Sequence, residues 1–244
     1  AGIYKQDNWT AGLLVKNVRA ESLTTTTRQN VFVPYFTAQF GDAGQYGVQG
    51  EIKMVTGSTE YKDGILADVD YTGLGWYLAG TASFGKTNVE VGIAVASGSD
   101  SNGTAGVGND DENEAVGGFG SEWIPLVILQ DANNVLGAQI SKHATNPALN
   151  VDPGVNLYYV SVDYALNDDI TLTGIVAMAT ADQTANGQDD SFGTEIDAKL
   201  KWKLTDALTY YVDLGYLMTG DYFKTATNDP DSVYTLSHRL QVDF

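Results

Sequence analysis

Cysteine is absent from the 244 residues, which excludes disulfide frameworks, thiolate metal sites and thiol nucleophiles together. No long hydrophobic run exists either: nowhere do about eighteen apolar residues follow one another, so a helical membrane span is ruled out. Basic residues are few. Thirteen Lys and Arg stand against 31 Asp and Glu, a formal net charge of −18, and a surface of that sign repels nucleic acid and anionic lipid alike. Histidine is limited to His143 and His238. With neither G-x-S-x-G nor H-E-x-x-H in the chain, acid/base or nucleophilic catalysis finds no constellation, and the chain reads as a non-enzyme. The start, AGIYKQDN, has no initiator Met and no basic-plus-apolar leader, so the sequence reads as a mature chain or a fragment.

What is present is alternation. In residues 232–244, Tyr234, Leu236, Leu240, Val242 and Phe244 share one parity, while Thr235, Ser237, Arg239, Gln241 and Asp243 share the other. Residues two apart lie on one face of a strand, so this is a ribbon with an apolar and a polar side. In residues 192–204 the apolar face is Phe192, Ile196, Ala198, Leu200, Trp202 and Leu204, and the charged face is Glu195, Asp197, Lys199, Lys201 and Lys203. The same period runs through residues 9–18, 31–40, 46–56, 74–84, 88–96, 156–166, 170–180 and 206–218. With a further hairpin over 122–142, about ten to twelve strands are expected. Half-apolar strands also explain a mean hydropathy of −0.15 in a chain that faces lipid.

Connections after Phe40, Phe84, Leu166 and Leu204 are short, whereas 20–30, 57–68, 97–154, 181–191 and 219–231 read as long. That asymmetry is the signature of a transmembrane antiparallel up-and-down β-barrel with short periplasmic turns and long external loops. Counting back from Phe244 places both termini on the periplasmic side. Residues 1–244 are therefore read as a single barrel, or as the C-terminal part of a larger one. Outward Trp9, Trp76, Trp202, Tyr210 and Tyr216 are expected to anchor the bilayer interfaces.

The stretch FGTEIDAKLKWKLTDALTYYVDLGYLMTGDYF (192–223), followed by an acidic loop and a Phe-terminated strand, resembles the C-terminal region of alginate-export-like bacterial outer-membrane porins. The resemblance implies a porin-like channel. It also implies that Leu240, Val242 and Phe244 carry the signal read by the barrel-assembly machinery, with Arg239 standing where such families commonly have glycine.

Function then rests on inward faces and loops. Lys16, Lys53, Glu90, Asp163, Glu195, Asp197, Lys199, Lys201, Asp213 and Arg239 are the expected pore-lining residues, and mixed charge across a wet lumen favours polar, hydrated solutes. In the long segment 97–154 a polar, glycine-rich first half precedes an apolar second half, FGSEWIPLVILQDANNVLGAQI. That half either folds into the lumen as a constriction or forms another membrane hairpin turning at 131–134. Asp100, Asp110, Asp111 and Glu112 form a candidate loop site for loosely bound Ca²⁺, without EF-hand spacing; no other cofactor is expected. The expected partners are outer-membrane lipid and lipopolysaccharide, with a flat apolar flank suited to a homotrimer. The reading is a bacterial outer-membrane porin for passive diffusion of small hydrophilic solutes or ions. The alternative is a narrow or plugged barrel serving adhesion, envelope structure or partner attachment through its acidic loops.

Overall fold

A computed structural model describes the chain except residues 63–67, 100–111, 117–125, 130–151, 185–186, 228 and 244. Its apolar side chains are turned outward. Tyr158, Val160, Val162 and Tyr164 on one strand, and Leu214, Tyr216 and Met218 on another, are exposed, while Glu195, Asp197 and Asp213 are buried. Such an inverted distribution is unfavourable in water but suits a wall with lipid outside and packed polar groups inside.

Among the described residues the strands are β1 (Gly2–Lys5), β2 (Trp9–Glu21), β3 (Thr25–Phe40), β4 (Tyr46–Tyr61), β5 (Val69–Tyr71), β6 (Leu74–Phe84), β7 (Thr87–Ala96), β8 (Glu112–Asn113), β9 (Val155–Ala165), β10 (Ile170–Thr180), β11 (Ser191–Thr205), β12 (Leu208–Thr219) and β13 (Val233–Val242). They form one 13-stranded sheet in the order β1-β2-β3-β4-β6-β7-β9-β10-β11-β12-β13, with short β5 and β8 beside β4 at one end. Neighbours along the path are antiparallel, the up-and-down topology expected. One register row, Val91, Val160, Val176, Ile196 and Tyr216, shows how a single parity stays on the lipid side across five strands. The β1 and β13 strands end the path and run in the same direction, and among the described residues they do not pair with each other.

Five connections at one end are short, those after β1, β3, β6, β9 and β11. Between β6 and β7 only Gly85 and Lys86 intervene, with Gly85 at φ 61, a conformation that suits a residue lacking Cβ. Aromatic rings gather outside these turns: Phe40 stacks on Tyr46 at 5.7 Å between centroids, and Phe84 meets Tyr46 edge-on at 6.4 Å. This is the interfacial belt of a membrane barrel.

Four expectations are corrected. Residues 20–30 are not a long loop: β2 and β3 run on to a three-residue turn, 22–24. There the Ser22 hydroxyl accepts the N–H groups of Thr24 and Thr25, and β-branched threonines extend the hairpin. Its outward positions carry ion pairs instead of apolar groups, with Arg28 Nη1 2.6 Å from Glu60 and Lys62 Nζ 2.9 Å from Glu21, as suits strand ends that project past the hydrocarbon. The segment 57–68 is shortened likewise, because β4 continues to Tyr61.

Phe192 does not face lipid. The register of β10 with β11 passes from Ala179–Gly193 to Thr180–Ser191, so Phe192 is the extra residue of a bulge, and it turns inward to zero exposure. There its ring meets Tyr222 at 4.5 Å. Lastly, a strand the alternation did not reveal, β1, precedes β2 and lies along its lower half, with Gly2 opposite Leu13; Gly2 is thus not at the turn end of the barrel where both termini were expected.

Candidate functional site: a clasped loop above a polar cavity

The interior has two levels. Near the short turns, the inward residues of β6, β7 and β9–β12 enclose a cavity of about 550 Å³. Its lining includes Glu90, Asp163, Lys199, Lys201, Tyr211 and Asp213, with Thr81, Ser83, Asn88 and Thr173 between the charges. Strand register explains the gathering: Asp163 lies opposite Thr173, Thr173 opposite Lys199 and Lys199 opposite Asp213. The Thr173 hydroxyl donates to Asp163 at 2.5 Å.

Five of the expected pore-lining residues, Glu90, Asp163, Lys199, Lys201 and Asp213, therefore share one cavity. Arg239 lies beside it on β13, its guanidinium 4.5 Å from the centre of the Tyr211 ring, a cation–π contact. Lys16, exposed on β2, and Lys53, half-buried on β4, lie on strands that do not border that cavity and do not line it.

A polar network closes one flank. The Tyr159 hydroxyl donates to Glu90 at 2.6 Å and lies 2.9 Å from the Tyr77 hydroxyl, and the Gln49 amide donates to Tyr77 at 2.9 Å. Gly92 makes this possible, since a Cβ there would lie 2.4 Å from the Tyr159 ring. Gln49 is not among the expected pore-lining residues, which are all charged.

Above the cavity sits part of the long segment. Leu126, Val127, Ile128 and Leu129 are at most 5 % exposed and form no strand. The hairpin expected over 122–142 is thereby corrected at these residues, and its other positions lie outside the described ones. Three backbone N–H groups are captured by two carboxylates of β11: Val127 donates to Asp197 at 3.0 Å, while Ile128 and Leu129 donate to the two oxygens of Glu195, each at 2.7 Å. A buried N–H without a partner is costly, and hydrogen bonds to a charged acceptor are about twice as strong as neutral ones, so the clasp fixes the segment's height in the barrel. The side chains of Leu126, Ile128 and Leu129 join a core with Ile175, Ala177, Phe192, Leu217 and Tyr222.

The apolar parts of this seat had a sequence signal. Strand β10 carries Ile175, Ala177 and Ala179 on its inward parity as well as apolar residues outside, which a purely wet lumen would not need. A second piece of the segment packs at the same end: β8 pairs with β5, and Val116 lies against Gly75, whose Cβ would come within 3.2 Å of Val116 Cγ1.

Of the proposed loop cation site, Glu112 is on β8 and accepts a hydrogen bond from the Thr72 hydroxyl at 2.8 Å; Asp100, Asp110 and Asp111 lie outside the described residues. Among the described residues no group of three or more His, Asp or Glu is placed to hold a metal ion. In the other acidic loops, Asp182 accepts the Gly98 N–H and Asp229 pairs with Lys224. Leu240 and Val242 are exposed on the outward face of β13, and Phe244 and His143 are outside the described residues.

The pattern G-x-x-x-x-G-K-T does occur at 80–87. Here it is strand β6, the Gly85–Lys86 turn and the start of β7. Its backbone groups belong to the ladder and no helix follows, so it is no phosphate cradle.

Together, outward apolar parity, inward charge and an inward-seated loop segment define an up-and-down barrel of the membrane type. Solved structures similar to the chain include the NanC porin (TM-score 0.46, 11 % identity, covering 100 % of this chain and 98 % of that one). Two more are the CymD monoaromatic hydrocarbon channel (0.43, 10 %, 99 % and 72 %) and a Pseudomonas aeruginosa FadL homologue (0.39, 12 %, 94 % and 61 %). No protein-family model matches the chain and no curated protein matches it in sequence. The likeness of 192–223 to alginate-export-like porins accordingly finds no support.

Proposed function

We propose that this chain is a bacterial outer-membrane channel through which small hydrophilic solutes or ions diffuse passively, with segment 97–154 setting the constriction. The observation that carries this reading is the charged cavity of about 550 Å³ inside an apolar-sided barrel, directly below the clasped residues 126–129. A polar lumen of mixed charge exchanges solvation with hydrated solutes and disfavours apolar ones. The charged outer ends of β2–β4 suit contact with lipopolysaccharide, and the exposed apolar wall suits lipid or further copies in a homotrimer.

One observation favours a second reading. Four apolar residues at full burial in the lumen also describe a plug, and a barrel permanently stopped there would serve the envelope through its loops.

Single-channel recording in a planar bilayer separates the two. Stepwise conductance by the folded protein, altered when residues 100–114 are deleted, is the expected result. A folded barrel that stays silent with and without those residues establishes the plugged reading.

A further inference from the structure

Glu195 and Asp197 occupy successive inward positions of β11, at zero and 2 % exposure. Among the described residues, their four carboxylate oxygens meet three N–H donors, those of Val127, Ile128 and Leu129. The fourth, Asp197 Oδ1, is buried and has no hydrogen-bond partner among the described residues; it points into the space left by Gly215, where a Cβ would lie 3.1 Å from it. Register surrounds the pair with apolar groups: Glu195 lies between Ala177 and Leu217, and Asp197 between Ile175 and Gly215. Phe192 and Tyr222 close the same core. Amide N–H groups satisfy acceptors but carry no net charge. The three N–H donors thus match the geometry of the pair, while its charge is met from one side only among the described residues, by Lys199 at the next inward position of β11.

A solute that matched both would present several N–H donors on a cation, as an ammonium or guanidinium does, and an apolar body for the surrounding wall. We infer that the Glu195–Asp197 pair is a binding site for cationic, N–H-bearing solutes with an apolar body, and that residues 126–129 occupy it as an internal stand-in. The inference deepens the channel reading and rests on it for solute access. Displacement of the segment by such a solute would couple binding to opening, because the groups that hold the loop are the groups that hold the solute.

The test compares phenethylammonium with 2-phenylethanol, which share a body and differ in the cationic head. Both are applied to the wild type and to a variant carrying Leu126→Ser, Val127→Ser, Ile128→Ser and Leu129→Ser, which loosens the stand-in. Binding is read by equilibrium dialysis of the detergent-folded protein, and in parallel by the change in potassium current on adding each solute. The serine variant is expected to prefer the amine by about tenfold, the order of one charge-assisted contact replacing a neutral one, and to bind it more tightly than the wild type does. Adding Glu195→Gln and Asp197→Asn should erase the preference; Asp197→Asn alone, the milder change, should reduce it. Equal binding of amine and alcohol, or a preference that survives these substitutions, overturns the site. Current without amine preference sinks the site and leaves the channel, whereas amine preference without current sinks the channel and leaves the site.

Discussion

Gly215 on β12 lies directly beneath Val127: a Cβ on the glycine would stand 3.0 Å from the Val127 Cβ. Strand geometry does not demand glycine here, since Gly215 is absent from the positive-φ positions. What the missing side chain provides is room for the loop. Gly215→Val is expected to lift residues 126–129 from their seat, raising single-channel conductance and lowering amide protection of Val127 and Ile128. Lost protection with unchanged conductance would show that this segment is not the constriction.

Glu195→Gln replaces one carboxylate oxygen with an N–H₂ donor that faces a backbone N–H, and it removes the charge from both bonds. About 1.5–3 kcal/mol is the usual worth of a hydrogen bond to a charged group. The expected loss lies in that range, localised to opening of the segment and read as faster amide exchange at Ile128 and Leu129. Exchange that is unchanged would remove the clasp from the account.

Val176 faces lipid at 50 % exposure, flanked in register by Val160 and Ile196. Placing arginine there is expected to destabilise the folded barrel by about 2–4 kcal/mol, the range for a cation near the bilayer midplane. Reversible unfolding from liposomes measures it. A change below about 0.5 kcal/mol, the scale of a neutral surface substitution, would contradict the outward assignment.

At the external end, Asp152 and Ser99 exchange backbone hydrogen bonds at 2.8 and 2.9 Å. Burial pushes the Asp152 carboxyl above the usual carboxylate range, and the Gly154 N–H opposes this more weakly. A carboxyl raised on folding holds its proton more tightly in the folded state. Its stabilising contribution is therefore complete below the ordinary aspartate range and is lost as pH rises through the raised value. Amide protection at Ser99 and Asp152, corrected for intrinsic exchange, should fall as pH rises from the acid side toward neutrality. Asp152→Asn should flatten that dependence; an equally steep profile in the variant would assign it to another group.

The sequence by itself determined the two faces of the wall. Strand parity is a local property with a period of two, and lipid and lumen impose opposite demands on its two sides, so alternation alone placed Val160, Val176 and Ile196 outside and Glu90, Asp163, Lys199 and Asp213 inside. It could not show Phe192 turning inward, because one bulge residue reverses parity and depends on pairing with β10. Nor could it show strands extending through 20–30, where threonines that suit either a loop or a strand were fixed by cross-strand partners. Only the tertiary structure decided where the apolar half of segment 97–154 goes. Its seat is assembled from Glu195, Asp197, Gly215 and Ile175, and the clasping hydrogen bonds join residues 66 to 70 apart in the chain. No local period encodes a contact of that separation; it arises when the curved wall brings two carboxylates and a side-chain-free position to face the same four residues.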